Sequence, residues 1–188
     1  MCLAMLLMAG SASAGGVRAP GYGGLPRLFA PNSVWNKPLA RNAAIDPSSE
    51  EMVAYLNGEV DREEAAHIGP WIQTDSYSTP LYVVGPHQRR VHVALQDGNS
   101  AGRRSLQRCF NRVPIPRRAK PAAGSDAHMT VWQPSTDRLW EFFAAHKRSG
   151  RWHAVWGGAI RHVSHNPGYY TRQSWPGRSL LNLSLIHI

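Results

Sequence analysis

Asp126, His128 and Glu141 are the residues of this chain best suited by type and spacing to do chemistry. A carboxylate two residues from an imidazole can serve three purposes. It can help bind a divalent metal on a strand, orient the histidine as a general base, or share hydrogen bonds to substrate hydroxyls with it. Asp126 and Glu141 also form a candidate carboxylate pair, as glycoside hydrolysis requires on either side of the scissile bond. Aromatic neighbours add a second kind of surface. Trp132, Phe143 and Trp156 offer flat apolar faces that match the apolar faces of sugar rings, and His153 lies between two tryptophans. These four are the candidate substrate-binding residues.

The elements that must position them follow from alternation. Residues 126–143 read as two strands joined by the turn Pro134-Ser135-Thr136-Asp137. That loop pairs Gln133 with Arg138, Trp132 with Leu139, Val131 with Trp140 and Thr130 with Glu141. Directly opposed residues share a face. Met129, Val131, Trp140 and Phe142 are therefore predicted to face the core. Asp126, His128, Thr130, Trp132, Glu141 and Phe143 are predicted to line an accessible polar face. A slip of one residue would exchange the two faces.

Elsewhere the signals are coarser. Asp46-Pro47-Ser48-Ser49-Glu50-Glu51 reads as a helix start, and the helix is expected to stop at Asn57-Gly58. Leu81–Val84 and Arg89–Leu95 read as a hairpin with Val91, Val93 and Leu95 on one apolar face. Trp71–Thr74 reads as a short strand. Val113-Pro114-Ile115-Pro116 is expected to be extended without being a central strand. Trp152–Trp156 reads as a strand ended by Gly157-Gly158, and Trp35 as an anchor. His162 and His165 fall in a loop that Asn166-Pro167-Gly168 terminates. Together the pattern predicts a mainly β fold: an antiparallel β-sandwich or jelly-roll-like domain with one short N-terminal helix.

The 188-residue chain carries 21 Lys and Arg against 12 Asp and Glu, a formal charge of +9. That excess favours anionic partners. Residues 1–14 resemble a secretory signal peptide, an apolar run followed by Ala12-Ser13-Ala14. The stretch is too short to span a bilayer, so no transmembrane segment is expected. Residues 15–31, rich in Gly and Pro, read as a flexible lead-in, and 32–182 as a single β-rich domain. Cys109 is the one cysteine beyond the leader, and no Cys-x-x-Cys zinc spacing occurs. The final Leu183-Ser184-Leu185-Ile186-His187-Ile188 resembles the translated end of a sequencing adapter. Residues 183–188 are therefore expected to be a non-native tail, and the natural domain to continue beyond this sequence.

Tyr77-Ser78-Thr79-Pro80-Leu81-Tyr82-Val83-Val84, Val113-Pro114-Ile115-Pro116, Asp126-Ala127-His128-Met129 and Trp156-Gly157-Gly158, with the Trp35 segment and the Pro134–Glu141 stretch, carry a resemblance. Over most of residues 29–177 the chain resembles an uncharacterised family of secreted actinobacterial proteins. The resemblance implies export and carries over no catalytic set. The expectation from the residues is a secreted carbohydrate-active protein. It would bind or act on an extracellular polysaccharide or cell-wall glycan, as a glycosidase or as a lyase with His128 as base and an arginine clamp. The alternative is a non-catalytic glycan-binding module. Nucleic acid is the less favoured partner. No cofactor is required, although a divalent metal at Asp126 and His128 remains open.

Overall fold

A computed structural model describes residues 27–69, 76–100 and 103–169. Within them the fold is built mainly from sheet. Strands β1 (Leu81–Val83), β3 (Met129–Gln133), β4 (Arg138–Phe143) and β7 (Trp156–Arg161) form one sheet in the order β1-β3-β4-β7. Strands β2 (Val93–Leu95), β5 (His146–Arg148) and β6 (Arg151–Ala154) form a second, in the order β2-β6-β5. Helices α1 (Ser49–Ala65) and α2 (Arg104–Phe110) complete the regular elements, with short 3-10 turns at Pro134–Thr136 and Val163–His165. The arrangement is compatible with a β-sandwich, and both sheets are mixed rather than antiparallel. β1 runs parallel to β3, and β2 parallel to β6.

The central hairpin has the register its sequence predicts. Met129 faces Phe142, Thr130 faces Glu141, Val131 faces Trp140, Trp132 faces Leu139 and Gln133 faces Arg138. Asp137 closes the turn in the left-handed region, at φ 51°, where aspartate is tolerated better than most residues. Met129, Val131, Trp140 and Phe142 point into the main core, as expected. There they meet Val93, Leu95, Trp152 and Ala154 of the second sheet and Leu106 and Phe110 of α2. Full burial of each such side chain stabilises the fold by roughly 1.5–3 kcal/mol.

Several expectations are corrected. The segments around Leu81–Val84 and Arg89–Leu95 do not pair as a hairpin, because each joins a different sheet through a parallel partner. Val93 and Leu95 are nonetheless buried with Val91 packed beside them, so the alternation itself was informative. Gly157 and Gly158 do not end a strand. They lie inside β7, where a Cβ at Gly157 would come 2.0 Å from the Glu141 carbonyl oxygen. Only glycine permits that approach of β7 to β4. Trp71–Thr74 lies outside the described residues.

The helix is longer than its sequence suggested and is joined by a second. Asp46 accepts the Ser48 N–H, and Glu50 and Glu51 sit in the first turn, where they complement the helix dipole. The chain continues through Asn57-Gly58 into Glu59–Ala65, where the good helix formers Glu59, Arg62, Glu63, Glu64 and Ala65 offset the cost of one glycine, about 1 kcal/mol. It stops where His67 turns left-handed. The Ile68 N–H then bonds to the Glu63 carbonyl and the His67 N–H to that of Glu64, which is the Schellman arrangement. None of the residues of α1 is buried. α2 is tied in closely by Gln107. Its side-chain amide accepts the Leu95 N–H at 2.7 Å and donates to the Val93 carbonyl at 3.0 Å. It thus stands in for a neighbouring strand along the open edge of β2.

Candidate functional site

The structure separates the predicted site residues by burial. Glu141 is 0% exposed and Trp132 4%. Their face of the first sheet is not open: Phe29, Leu139, Ile160 and Val163 pack against Trp132, with Leu28 and Leu81 beside them. Leu28 and Phe29, expected within the lead-in, thus help cover the sheet. Alternation placed Glu141 and Trp132 on the correct side of the hairpin, but it could not reveal a cover supplied by distant segments. Thr130 Oγ1 and Trp132 Nε1 are buried on this face without a hydrogen-bond partner among the described residues. Each such group costs about 1–3 kcal/mol.

Trp156 and His153 lie elsewhere again. Trp156 is half-buried beneath the Arg103 guanidinium, 4.5 Å from its ring centroid. That guanidinium also donates to the Gln96 and Val155 carbonyls, so it is held over the ring. His153 stacks on His146 of the second sheet, with centroids 5.4 Å apart and planes 14° from parallel.

What remains accessible is the end of the hairpin. His128 Nε2 lies 3.9 Å from Asp126 Oδ2, with the two side chains 19% and 45% exposed. This is ion-pair range and longer than a direct hydrogen bond. The His128 ring packs against Phe143, centroids 5.5 Å apart. Residue 128 stands next to Met129 and residue 143 next to Phe142, so the observed register brings these two rings opposite one another.

The segment that carries Asp126 and His128 is a closed loop. The Ala122 N–H donates to the His128 carbonyl, the Ala144 N–H to the Asp126 carbonyl and the Ala145 N–H to the Ala127 carbonyl. On its far side the Tyr77 N–H donates to the Ala123 carbonyl. The Tyr77 ring lies over Gly124, where an added Cβ would fall 2.7 Å from a ring carbon. Gly124 itself has φ 101°, and three non-glycine residues of this small region, Tyr77, Ala127 and Ala144, are left-handed at φ 57°, 39° and 49°. Such conformations cost of order 1–3 kcal/mol each and cluster where a geometry serves a function. The spacing of chemistry-bearing residues in the sequence does not point to Tyr77. Its only signal was the tight Tyr77-Ser78-Thr79-Pro80 segment, and its meeting with Gly124 is a long-range contact.

The result is an imidazole beside a half-exposed carboxylate, with Phe143 against the imidazole and Tyr77 on the adjoining loop. It can accept and donate hydrogen bonds to hydroxyl groups, and His128 can accept a proton. It does not present two open carboxylates, because Glu141 is enclosed. For a metal, Asp126 and His128 offer two donors. Among the described residues no group of three or more His, Cys, Asp or Glu side chains could hold an ion. None of the helices among the described residues is long and apolar enough to cross a membrane. No family model, curated protein or solved structure matches the chain.

Proposed function

We propose that this is an exported carbohydrate-active protein that engages an extracellular polysaccharide at the Asp126–His128 loop. The observation that carries the reading is the His128–Asp126 pair set beside Phe143, on a loop whose backbone is held in costly conformations and whose Gly124 packs under the Tyr77 ring. Aromatic rings beside hydrogen-bonding side chains suit a sugar, which is apolar on its ring faces and polar at its rim. If the site performs chemistry, His128 is the base, as in a lyase. Hydrolysis by Asp126 and Glu141 is not proposed, since only one of the two is accessible. The enclosure of Glu141 also favours a second reading, a non-catalytic glycan-binding module. The resemblance to secreted actinobacterial proteins and the apolar N-terminal run support export.

The full chain and its His128→Ala, Phe143→Ala and Tyr77→Ala variants would be tested against a panel of neutral and acidic polysaccharides. Binding lost in the two aromatic variants is the expected result. Turnover abolished in His128→Ala with binding retained would identify an enzyme. Binding without turnover by the parent protein would identify a module. Failure of the parent to bind or cleave any polysaccharide would refute both.

A further inference from the structure

We propose that the β5–β6 hairpin is a clamp for an acidic polysaccharide, with the Arg148 and Arg151 guanidiniums gripping its carboxylate or sulfate groups. The juxtaposition is built into the backbone. Arg148 and Arg151 are directly paired across the hairpin. Only Ser149 and Gly150 separate them, at φ 50° and 76°, the two left-handed residues of a tight type I′ turn. Such a turn is short and stiff, so it fixes the two arginine Cα positions opposite one another with both side chains on one face. Cross-strand partners share a face, and like charges directly opposed destabilise a sheet. An anion seated between the guanidiniums removes that repulsion.

The surroundings add imidazoles and the cations Lys147, Arg117 and Arg118, and supply no internal counter-charge. His146 and His153, the next cross-strand pair on the same face, stack behind the arginines. His146 Nδ1 lies 3.0 Å from the Ala144 carbonyl oxygen, which can only accept, so the ring leaves Nε2 for other partners. On the opposite face of β5, Lys147 lies over Trp152 and donates to the Arg117 carbonyl, which brings the Arg117-Arg118 segment to the hairpin. Residues 144–161 contain no Asp or Glu. Among the described residues no carboxylate lies within 4.0 Å of a cationic group of Arg148, Arg151 or Lys147. Acidic residues crowd around α1 instead, as Asp46, Glu50, Glu51, Glu59, Asp61, Glu63 and Glu64.

Charge on an edge strand also discourages edge-to-edge aggregation. That role would need charge on β5 alone and would be met by either sign. It does not account for Arg151, on the inner strand β6, standing opposite Arg148. An acidic polysaccharide suits the clamp better than nucleic acid does. Guanidiniums form bidentate pairs with carboxylates and phosphates alike, so the choice turns on the rest of the surface. The outer face carries imidazoles but no indole or phenyl ring for base stacking, because Trp152 is turned into the core. The clamp also adjoins the Asp126 loop. Ala144 and Ala145, which lead into β5, donate to the carbonyls of Asp126 and Ala127. The inference rests on the polysaccharide reading above for the class of polymer.

The test is titration of the full chain with polygalacturonate, dextran sulfate, a neutral glucan and duplex DNA at several salt concentrations. The parent is compared with the Arg148→Ala/Arg151→Ala double variant and with Arg104→Ala/Arg108→Ala, which removes the same charge from exposed positions of α2. Arg148→Gln/Arg151→Gln repeats the clamp test if the alanine variant unfolds, as judged by circular dichroism. The expected result is a loss of about tenfold in affinity for both acidic polysaccharides when the clamp is removed, with a shallower salt dependence. The α2 variant should lose less than twofold. Equal losses in the two double variants would reduce the effect to net charge and overturn the clamp. Tighter binding of duplex DNA than of either acidic polysaccharide would overturn the ligand class. Binding of the neutral glucan alone, sensitive to His128→Ala, would overturn the clamp and leave the polysaccharide reading standing. No binding to any polysaccharide would end both.

Discussion

Two hairpins follow one another in this chain, and they handle polar residues in opposite ways. In β3–β4 the polar side chains of Thr130, Gln133 and Glu141 are fully enclosed, and the sheet is covered on both faces. In β5–β6 only one face is covered, and Arg148, Arg151, His146 and Lys147 are exposed. The first hairpin is conspicuous in sequence because burial dictates its residues one by one. The second is plain in sequence because solvent constrains it little. A surface strand that need not pack is free to carry recognition, whereas a buried polar residue is first of all a structural obligation.

Breaking the buried side of that comparison should give the largest effect. Gly157→Ala would force a Cβ to within 2.0 Å of the Glu141 carbonyl oxygen and 2.9 Å of the Phe110 ring. The first contact is with backbone, so no rotamer change relieves it, and β7 must part from β4. We expect a loss of about 4 kcal/mol. Urea unfolding should show the midpoint falling steeply or the variant failing to fold. Unchanged stability would mean that the β4–β7 pairing is looser than described.

The contrast also explains what was legible. Alternation around Pro134–Asp137 specified the central register, because one face of each strand must be apolar and the turn length fixes the pairing. It could not show that Leu28, Phe29 and Val163 close over the other face, since those contacts join distant parts of the chain. Parallel pairing of β1 with β3 and of β2 with β6 was invisible for the same reason, and proximity in sequence suggested a hairpin instead. In α1 a local stop signal, Asn57-Gly58, lost to the residues that follow it. The Arg148-Ser149-Gly150-Arg151 turn did have a signal, since Ser-Gly marks turns. Its first strand, His146-Lys147-Arg148, carries no apolar residue, so nothing in that arm marks the turn as the centre of a hairpin.

Gln133 tests the middle of the scale. Its amide donates to the Gly85 carbonyl at 2.8 Å and accepts from Arg90 and Thr136, each at 2.9 Å. One side chain thus ties three segments to the end of β3. Gln133→Leu keeps the bulk and removes every bond, leaving partners unsatisfied around a fully buried side chain. The expected cost is about 2 kcal/mol, read as a lower midpoint with an unchanged denaturant slope. A cost near zero would show that water replaces those bonds, and that buried polar groups in the first sheet are only loosely constrained.

The smallest stability change should come from Arg148→Glu, and its sign is the informative part. In the parent, Arg148 opposes Arg151 across the hairpin with no acid within ion-pair distance among the described residues. Replacing one of the two by glutamate turns a repulsive cross-strand pair into an attractive one. Exposed pairs of this kind are worth roughly 0.2–1 kcal/mol. The variant is therefore expected to be a few tenths of a kcal/mol more stable than the parent, and less so as salt is raised. Its affinity for polygalacturonate should fall at the same time, further than in Arg148→Ala, because a carboxylate now occupies the anion's place. A gain in stability together with a loss of binding would mark Arg148 as a residue kept for recognition at the expense of the sheet. If stability and binding fall together, the arginine pair is holding the hairpin in shape, and the distinction between a structural first hairpin and a recognition-bearing second one does not hold.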